Sequence, residues 1–157
     1  MDQAFVKTPL GMAHITGNRE GLRSIAVSDG ARAETDPIPD SLRAAATQIQ
    51  EYFQGERKEF TLKLNPTGTA FQKTVWKALN DIPFGKTQSY MELSRRLGDV
   101  KAIRAVAAAN GKNPIWIVIP CHRVIGSDGS LTGYAGGLHR KKWLLDHESP
   151  FQQQSLF

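Results

Sequence analysis

The apolar residues change their spacing near Asn65, and that change limits the chain to a small sheet region followed by a mainly helical one. Before Asn65 they fall in short alternating runs, AFVKT, GMAHIT and LRSIAVSD, separated by Pro9, Gly11, Gly17, Asn18 and Gly21. Alternation between turn-forming residues predicts antiparallel strands, because successive side chains of a strand face opposite sides of a sheet. One helix interrupts the region: Leu42, Ala45, Ala46, Ile49, Tyr52 and Phe53 recur at helical spacing, with Asp40 or Ser41 as N-cap and Gly55 as the stop. The segment EFTLKLN, residues 59–65, alternates again and predicts a further strand. The turn chemistry of NPTGT marks a linker. We therefore expect an α+β domain over residues 1–66, a helical domain over 67–150 and a flexible tail over 151–157.

Beyond the linker, Thr69 and Gln72 have the spacing of a capping box, and Phe71, Val75 and Leu79 form one apolar helix face. Ser89 and Glu92 repeat the box, and that helix stops at Gly98, just before the small-residue helix KAIRAVAAAN. Two short helices around a glycine turn fit a helix-turn-helix or a plain αα-hairpin. The alanines at 102, 105, 107, 108 and 109 make the second helix slim, which suits either a nucleic-acid groove or tight helix packing, and Arg104 projects from it. IWIVIPCHRV is continuously apolar up to Pro120, which predicts a buried extended segment with Cys121 at its exit. The loop GSDGSLTGYAGG, residues 126–137, lets backbone come close to a ligand. In the closing helix LHRKKWLLDHE, Leu138, Trp143, Leu144 and Leu145 are the core candidates.

The longest apolar run, Ile115 to Ile119, is too short to cross a bilayer, and MDQAFVKTPLG has no secretory pattern, so we expect no membrane association and a cytoplasmic location. Lys and Arg outnumber Asp and Glu by 20 to 15, a net charge of +5 that favours a polyanionic partner. Cys121 is the single cysteine, which excludes an internal disulfide and a multi-cysteine zinc site. It is either a buried apolar filler or a reactive thiol. An ordinary thiol, with a pKa of about 8.5, is only a few per cent thiolate at neutral pH, so a nucleophile needs a base or a positive neighbour. His122 and Arg123 follow it directly.

The stretch from Asn113 to Glu148, NPIWIVIPCHRVIGSDGSLTGYAGGLHRKKWLLDHE, resembles the active-site region of the O6-alkylguanine-DNA alkyltransferases, whose hallmark is PCHR. Upstream, FQKTVWKALNDIPFGKTQSYMELSRRLG and AIRAVAAANGKNP resemble that family's helix-turn-helix and arginine finger. The resemblance implies a small N-terminal domain of ribonuclease H-like type and a winged helix-turn-helix domain carrying Cys121. It implies irreversible transfer of an alkyl group from O6-alkylguanine, and less efficiently O4-alkylthymine, to Cys121 in a single turnover, with no cofactor and no metal. His122 would act as base through a water, Glu148 would orient His122, and Asn113 would hold the active-site turn. Tyr90, Ala102, Arg104, Ala105 and Arg123 would contact double-stranded DNA, with Arg104 filling the space left by a flipped nucleotide. Val124, Tyr134 and Ala135 would line the base pocket, the carbonyls of Cys121 and Val124 accepting from the guanine amino group.

Within that resemblance two positions depart from the mammalian pattern, Ala135 standing for a serine and Asn110 for a pocket methionine, so the chain resembles the constitutive bacterial branch. The final QQSLF resembles a peptide that docks on the replicative sliding clamp, with Gln153, Leu156 and Phe157 as its contacts. Two other function classes compete: a non-catalytic DNA-binding protein with a structural Cys121, and a multiple-turnover cysteine hydrolase built on Cys121, His122 and Glu148.

Overall fold

Strands β1 (Asp2–Thr8), β2 (Gly11–Asn18) and β3 (Gly21–Ser28) form an antiparallel sheet in that order. Their inward residues include Ala4, Val6, Ala13, Ile15, Leu22 and Ile25. Leu22 and Ile25 lie three apart, yet both are buried: the register shifts after Thr16, so that Thr16 faces Ser24 and Gly17 faces Leu22, leaving Arg23 as the extra residue of a bulge. Helix α1 (Asp40–Phe53) packs on this sheet through Leu42, Ala45, Ala46, Ile49 and Tyr52. In this computed structural model, residues 1–131, 134 and 136–150 are described.

Two expectations about this region fail. Neither Asp40 nor Ser41 caps α1: Pro39 occupies the cap without a side-chain bond, Asp40 pairs with Arg43 at 2.6 Å, and Ser41 donates to Asp2. The segment 59–65 is no strand and joins the sheet only at Leu64, through Leu22 N to Lys63 O (2.9 Å) and Asn65 N to Leu22 O (2.8 Å). Gln48 takes the hydrogen bonds a ladder would have used, accepting from Thr61 N at 2.9 Å and donating to Thr61 Oγ1 at 3.1 Å.

The second unit is formed by Gly68–Asn113 and the chain from Ile117 onward, while Pro114–Trp116 belongs with Met1–Thr67 in the first. Both capping boxes form, opening α2 (Ala70–Leu79) and α3 (Tyr90–Arg96). In each, the hydroxyl accepts from the third residue at 3.0 Å and the Gln or Glu returns the bond. Gly98 follows α3 with φ +90, a conformation that a side chain would strain, and turns the chain through a single 3-10 turn (Val100–Ala102) into α4 (Ile103–Gly111). Helices α3 and α4 are thus the helix-turn-helix, and Trp76 of α2 donates its indole N–H to Ala109 O at 2.8 Å to fix α4 from behind. Because Trp76 takes the inner side with Val75, Ala78 and Leu79, the predicted face is rotated and Phe71 is 42% exposed.

Strands β4 (Gln88–Ser89) and β5 (Val124–Ile125) pair in parallel, and α5 (Leu138–Glu148) ends the described chain but for Ser149 and Pro150. The predicted extended run IWIVIP is buried but not extended. Ile115 alone pairs with Ile25, after which the chain turns at Ile117, whose φ of 69 is unusual for a β-branched residue. In α5 the buried residues are Arg140, Lys141, Leu144 and Glu148, whereas Leu138 is half exposed and Trp143 and Leu145 are half-buried. No helix among the described residues is long and apolar enough to cross a membrane.

Candidate active site

The nucleophile candidate sits in the 3-10 turn Cys121–Arg123, with Pro120 at its N-cap at the end of the buried run. Asn113 Nδ2 lies 2.7 Å from Ile119 O and 3.1 Å from Cys121 Sγ, and Cys121 N donates to Ile119 O at 2.8 Å. One carbonyl therefore gathers two donors and closes the turn under the sulfur. The Cys121 carbonyl accepts from Val124 N and lies 3.5 Å from Asn110 Nδ2. Burial pushes the Cys121 thiol up. The Asn113 bond, the charge of Lys141, the local backbone and Tyr134 pull it the other way without overcoming burial. The resting sulfur is a thiol at neutral pH, and its proton must leave as the reaction proceeds.

His122 is fully buried, and its Nε2 lies 2.7 Å from Glu148 Oε2. Burial lowers the His122 pKa, and the hydrogen bond and charge of Glu148 oppose this only in part. Burial alone would raise Glu148, but His122 and Arg123 outweigh it and hold the carboxyl well below the usual range. An ionised carboxylate only accepts, so neutral His122 carries its proton on Nε2 and presents Nδ1 as a lone pair. That Nδ1 is buried with no partner among the described residues.

The structure thus pairs Asn113 with Cys121 and His122 with Glu148, the two pairs joined by the Cys121–His122 peptide, and corrects the role expected for Arg123. Its guanidinium is not presented to DNA. It is buried, grips Glu148 through Nε (2.7 Å) and Nη2 (3.0 Å), and donates Nη1 to Ile82 O at 2.6 Å. Three of its five N–H donors are committed to Glu148 and Ile82, and burial keeps the guanidinium away from a phosphate. Arg104 and Ala105 are exposed on α4 and Ala102 is half-buried, while Tyr90 is half-buried at the start of α3. Val124 is buried in β5. Ala135 lies outside the described residues, as do Gln153, Leu156 and Phe157.

Lys141 is the site residue that no motif announces. It is completely buried, with Nζ 5.9 Å from the Tyr90 ring centroid and 6.0 Å from that of Tyr134. Burial lowers its pKa, and Cys121 raises it when the sulfur is a thiolate. Its sequence signal is faint but physical: Lys141, Leu144 and Glu148 share one face of α5 at spacings of three and four, so the buried face carries charge at both ends.

Residues 70–150 match the DNA-binding domain of 6-O-methylguanine DNA methyltransferase, and residues 1–66 match the ribonuclease-like domain of the same protein family. A methylated-DNA–protein-cysteine methyltransferase of Methanosarcina acetivorans is 45% identical over 155 residues, covering 94% of this chain and 98% of the relative. One from Mycobacterium tuberculosis is 43% identical over 147 residues, covering 91% and 89%. The crystal structure of Mycobacterium tuberculosis OGT in complex with DNA superposes with a TM-score of 0.85 at 40% identity, covering 94% of this chain and 93% of that one. Two domains of one family, matched in order over residues 1–150, place this chain in the 6-O-methylguanine DNA methyltransferase family.

Proposed function

We propose that this protein repairs alkylated double-stranded DNA by moving the alkyl group of O6-alkylguanine onto Cys121, once and irreversibly. The observation that carries this is the tautomer imposed on His122: Glu148 holds Nε2, which leaves a buried lone pair on Nδ1 of the residue that follows the only cysteine of the chain. The thiol proton passes through a water to His122 Nδ1 while Sγ attacks the alkyl carbon. The S–C bond forms as the C–O6 bond breaks, and the electron pair stays on the base. The base takes up one proton, replacing the one the thiol gave, and returns as guanine. Asn113 supports the developing thiolate, and Glu148 stabilises the imidazolium. The product is a thioether, which water does not cleave, so the protein is consumed.

Residues 67–150 carry both DNA contact and chemistry, and residues 1–66 serve as scaffold. The target atom is inside the duplex and must be flipped out, with Arg104 filling the gap and Tyr90, Ala102 and Ala105 against the backbone. The carbonyls of Cys121 and Val124, with Tyr134 and Ala135, receive the base. O4-alkylthymine reacts less efficiently. Binding is nearly independent of sequence and weakens with salt, and the reaction takes place in the cytoplasm. With O6-methylguanine duplex in excess, one equivalent is repaired per protein and then none. Continued turnover would point to a hydrolase, and repair by Cys121→Ser would remove the sulfur from the reaction. The tail, through Gln153, Leu156 and Phe157, docks on a sliding clamp; failure of the intact protein to bind a clamp ends that part.

A further inference from the structure

We propose that the side-chain carbonyl of Asn110 reads the 2-amino group of the flipped base and thereby sets the preference for guanine over thymine adducts. This deepens the repair reading above and rests on it. Asn110 is 1% exposed near the C-terminal end of α4, six residues after Arg104. Its Nδ2 approaches Cys121 O at 3.5 Å, and its Oδ1 is buried with no hydrogen-bond partner among the described residues. The opposite orientation of the amide would set two carbonyl oxygens against each other, so the acceptor is the end left over. Amide geometry then keeps Oδ1 within about 6 Å of the nucleophile's own carbonyl oxygen. Buried acceptors are almost always satisfied, and leaving one without a donor costs stability. An orphan at this spot, on the residue that touches the nucleophile's carbonyl, is the mark of a group whose partner arrives with the substrate.

The chemistry of the adducts decides which donor that is. In O6-alkylguanine the ring is fixed in the form with no hydrogen on N1, so the exocyclic 2-amino group is the only N–H donor of the base. Its two hydrogens allow one bond to the Val124 carbonyl and one to Asn110 Oδ1, which takes the place expected for the Cys121 carbonyl, already engaged by Val124 N and Asn110 Nδ2. In O4-alkylthymine the ring N3 has likewise lost its hydrogen and there is no amino group, so the base offers no N–H donor. A guanine adduct satisfies Asn110, whereas a thymine adduct buries its carbonyl still unpaired. A site built to hydrogen-bond an N–H discriminates against an analogue that lacks it far more than one relying on shape.

The test uses single-turnover methyl transfer to Cys121 from two duplexes that differ only in the amino group, one carrying O6-methylguanine and one O6-methylhypoxanthine. Both are measured with the full chain, with Asn110→Leu and with Asn110→Ala, which adds no bulk. The guanine-to-hypoxanthine rate ratio should fall by about fivefold to tenfold in both variants, and the ratio of O6-methylguanine to O4-methylthymine should fall with it. Each ratio comes from one protein sample and is independent of the fraction folded. A guanine-to-hypoxanthine ratio that is the same in all three proteins overturns the proposal and leaves alkyl transfer intact. No methyl on Cys121 from any duplex would instead overturn the repair function itself.

Discussion

The first unit buries one polar side chain among the described residues, Gln48, in a core of Ala4, Val6, Ile15, Leu42, Ile49 and Tyr52; the second unit buries eight. These eight include His122, Arg123, Lys141 and Glu148. In the first unit one sheet face and one helix face supply enough apolar surface, and burial follows hydropathy. In the second, charges leave water at a cost that pairing only offsets, as the bidentate Arg123–Glu148 contact does. An apolar replacement of such a pair is often no less stable. The charges kept inside act on Cys121 and His122: Lys141 pulls the thiol down against burial, and Glu148 pulls the imidazole up against it. The apolar core specifies shape, and the polar one prepares a reaction.

Breaking the ionic core should have the largest effect. Glu148→Ala strands buried Arg123 and removes the acceptor on His122 Nε2, so it should cost about 3–5 kcal/mol in denaturant unfolding and slow alkyl transfer. A loss below about 1 kcal/mol would mean that the pair behaves like a surface one. Lys141→Met should lower the transfer rate at neutral pH on the order of a hundredfold. It should also move the pH profile upward, because the thiol loses one of the groups that pull it down. An unchanged profile would reduce Lys141 to packing. Arg104→Ala should slow transfer from duplex DNA on the order of tenfold, with a smaller loss on a single-stranded oligonucleotide that needs no extrusion and no change in melting temperature.

The pH dependence sharpens the same contrast. Because the folded pKa of His122 is lowered, the imidazole stays a neutral base below pH 6.5, and the rate should fall only as acid finally protonates it. Glu148 is depressed as well, so its stabilising contacts are complete above the unfolded carboxylate value of about 4.3 and are lost as pH falls below it. Acid denaturation should therefore act on the second unit through this pair. The smallest effect belongs to the first unit: Gln48→Leu removes the bonds to Thr61 and should cost about 1 kcal/mol with the transfer rate unchanged. A slower rate would show that the scaffold is not passive.

Legibility in the sequence follows the same division. The three strands, α1 and the two capping boxes could be read directly, since each rests on local chemistry: alternation, helical spacing, or a hydroxyl three residues before its Glu or Gln. Segment 59–65 misled because a side chain, Gln48, replaced the ladder that its alternation predicts. IWIVIP misled because continuous hydrophobicity reports burial and not conformation, and the turn at Ile117 has no glycine to announce it. In the site, the resemblance around PCHR singled out Cys121, His122, Asn113 and Glu148, and the fold sets Asn113 against Cys121 and Glu148 against His122. The places of Arg123 and Lys141 were not legible: charge in a sequence suggests solvent or DNA, and only the fold shows a carboxylate beside one and two aromatic rings beside the other.

The most direct measurement is the intact mass of the protein after incubation with excess duplex DNA carrying O6-methylguanine, followed by peptide mapping. We predict the mass of a single added methyl per chain, located on Cys121 and absent from Cys121→Ser, which should still bind the duplex. An unmodified protein that binds the same DNA tightly would contradict alkyl transfer and leave a DNA-binding protein with a structural cysteine.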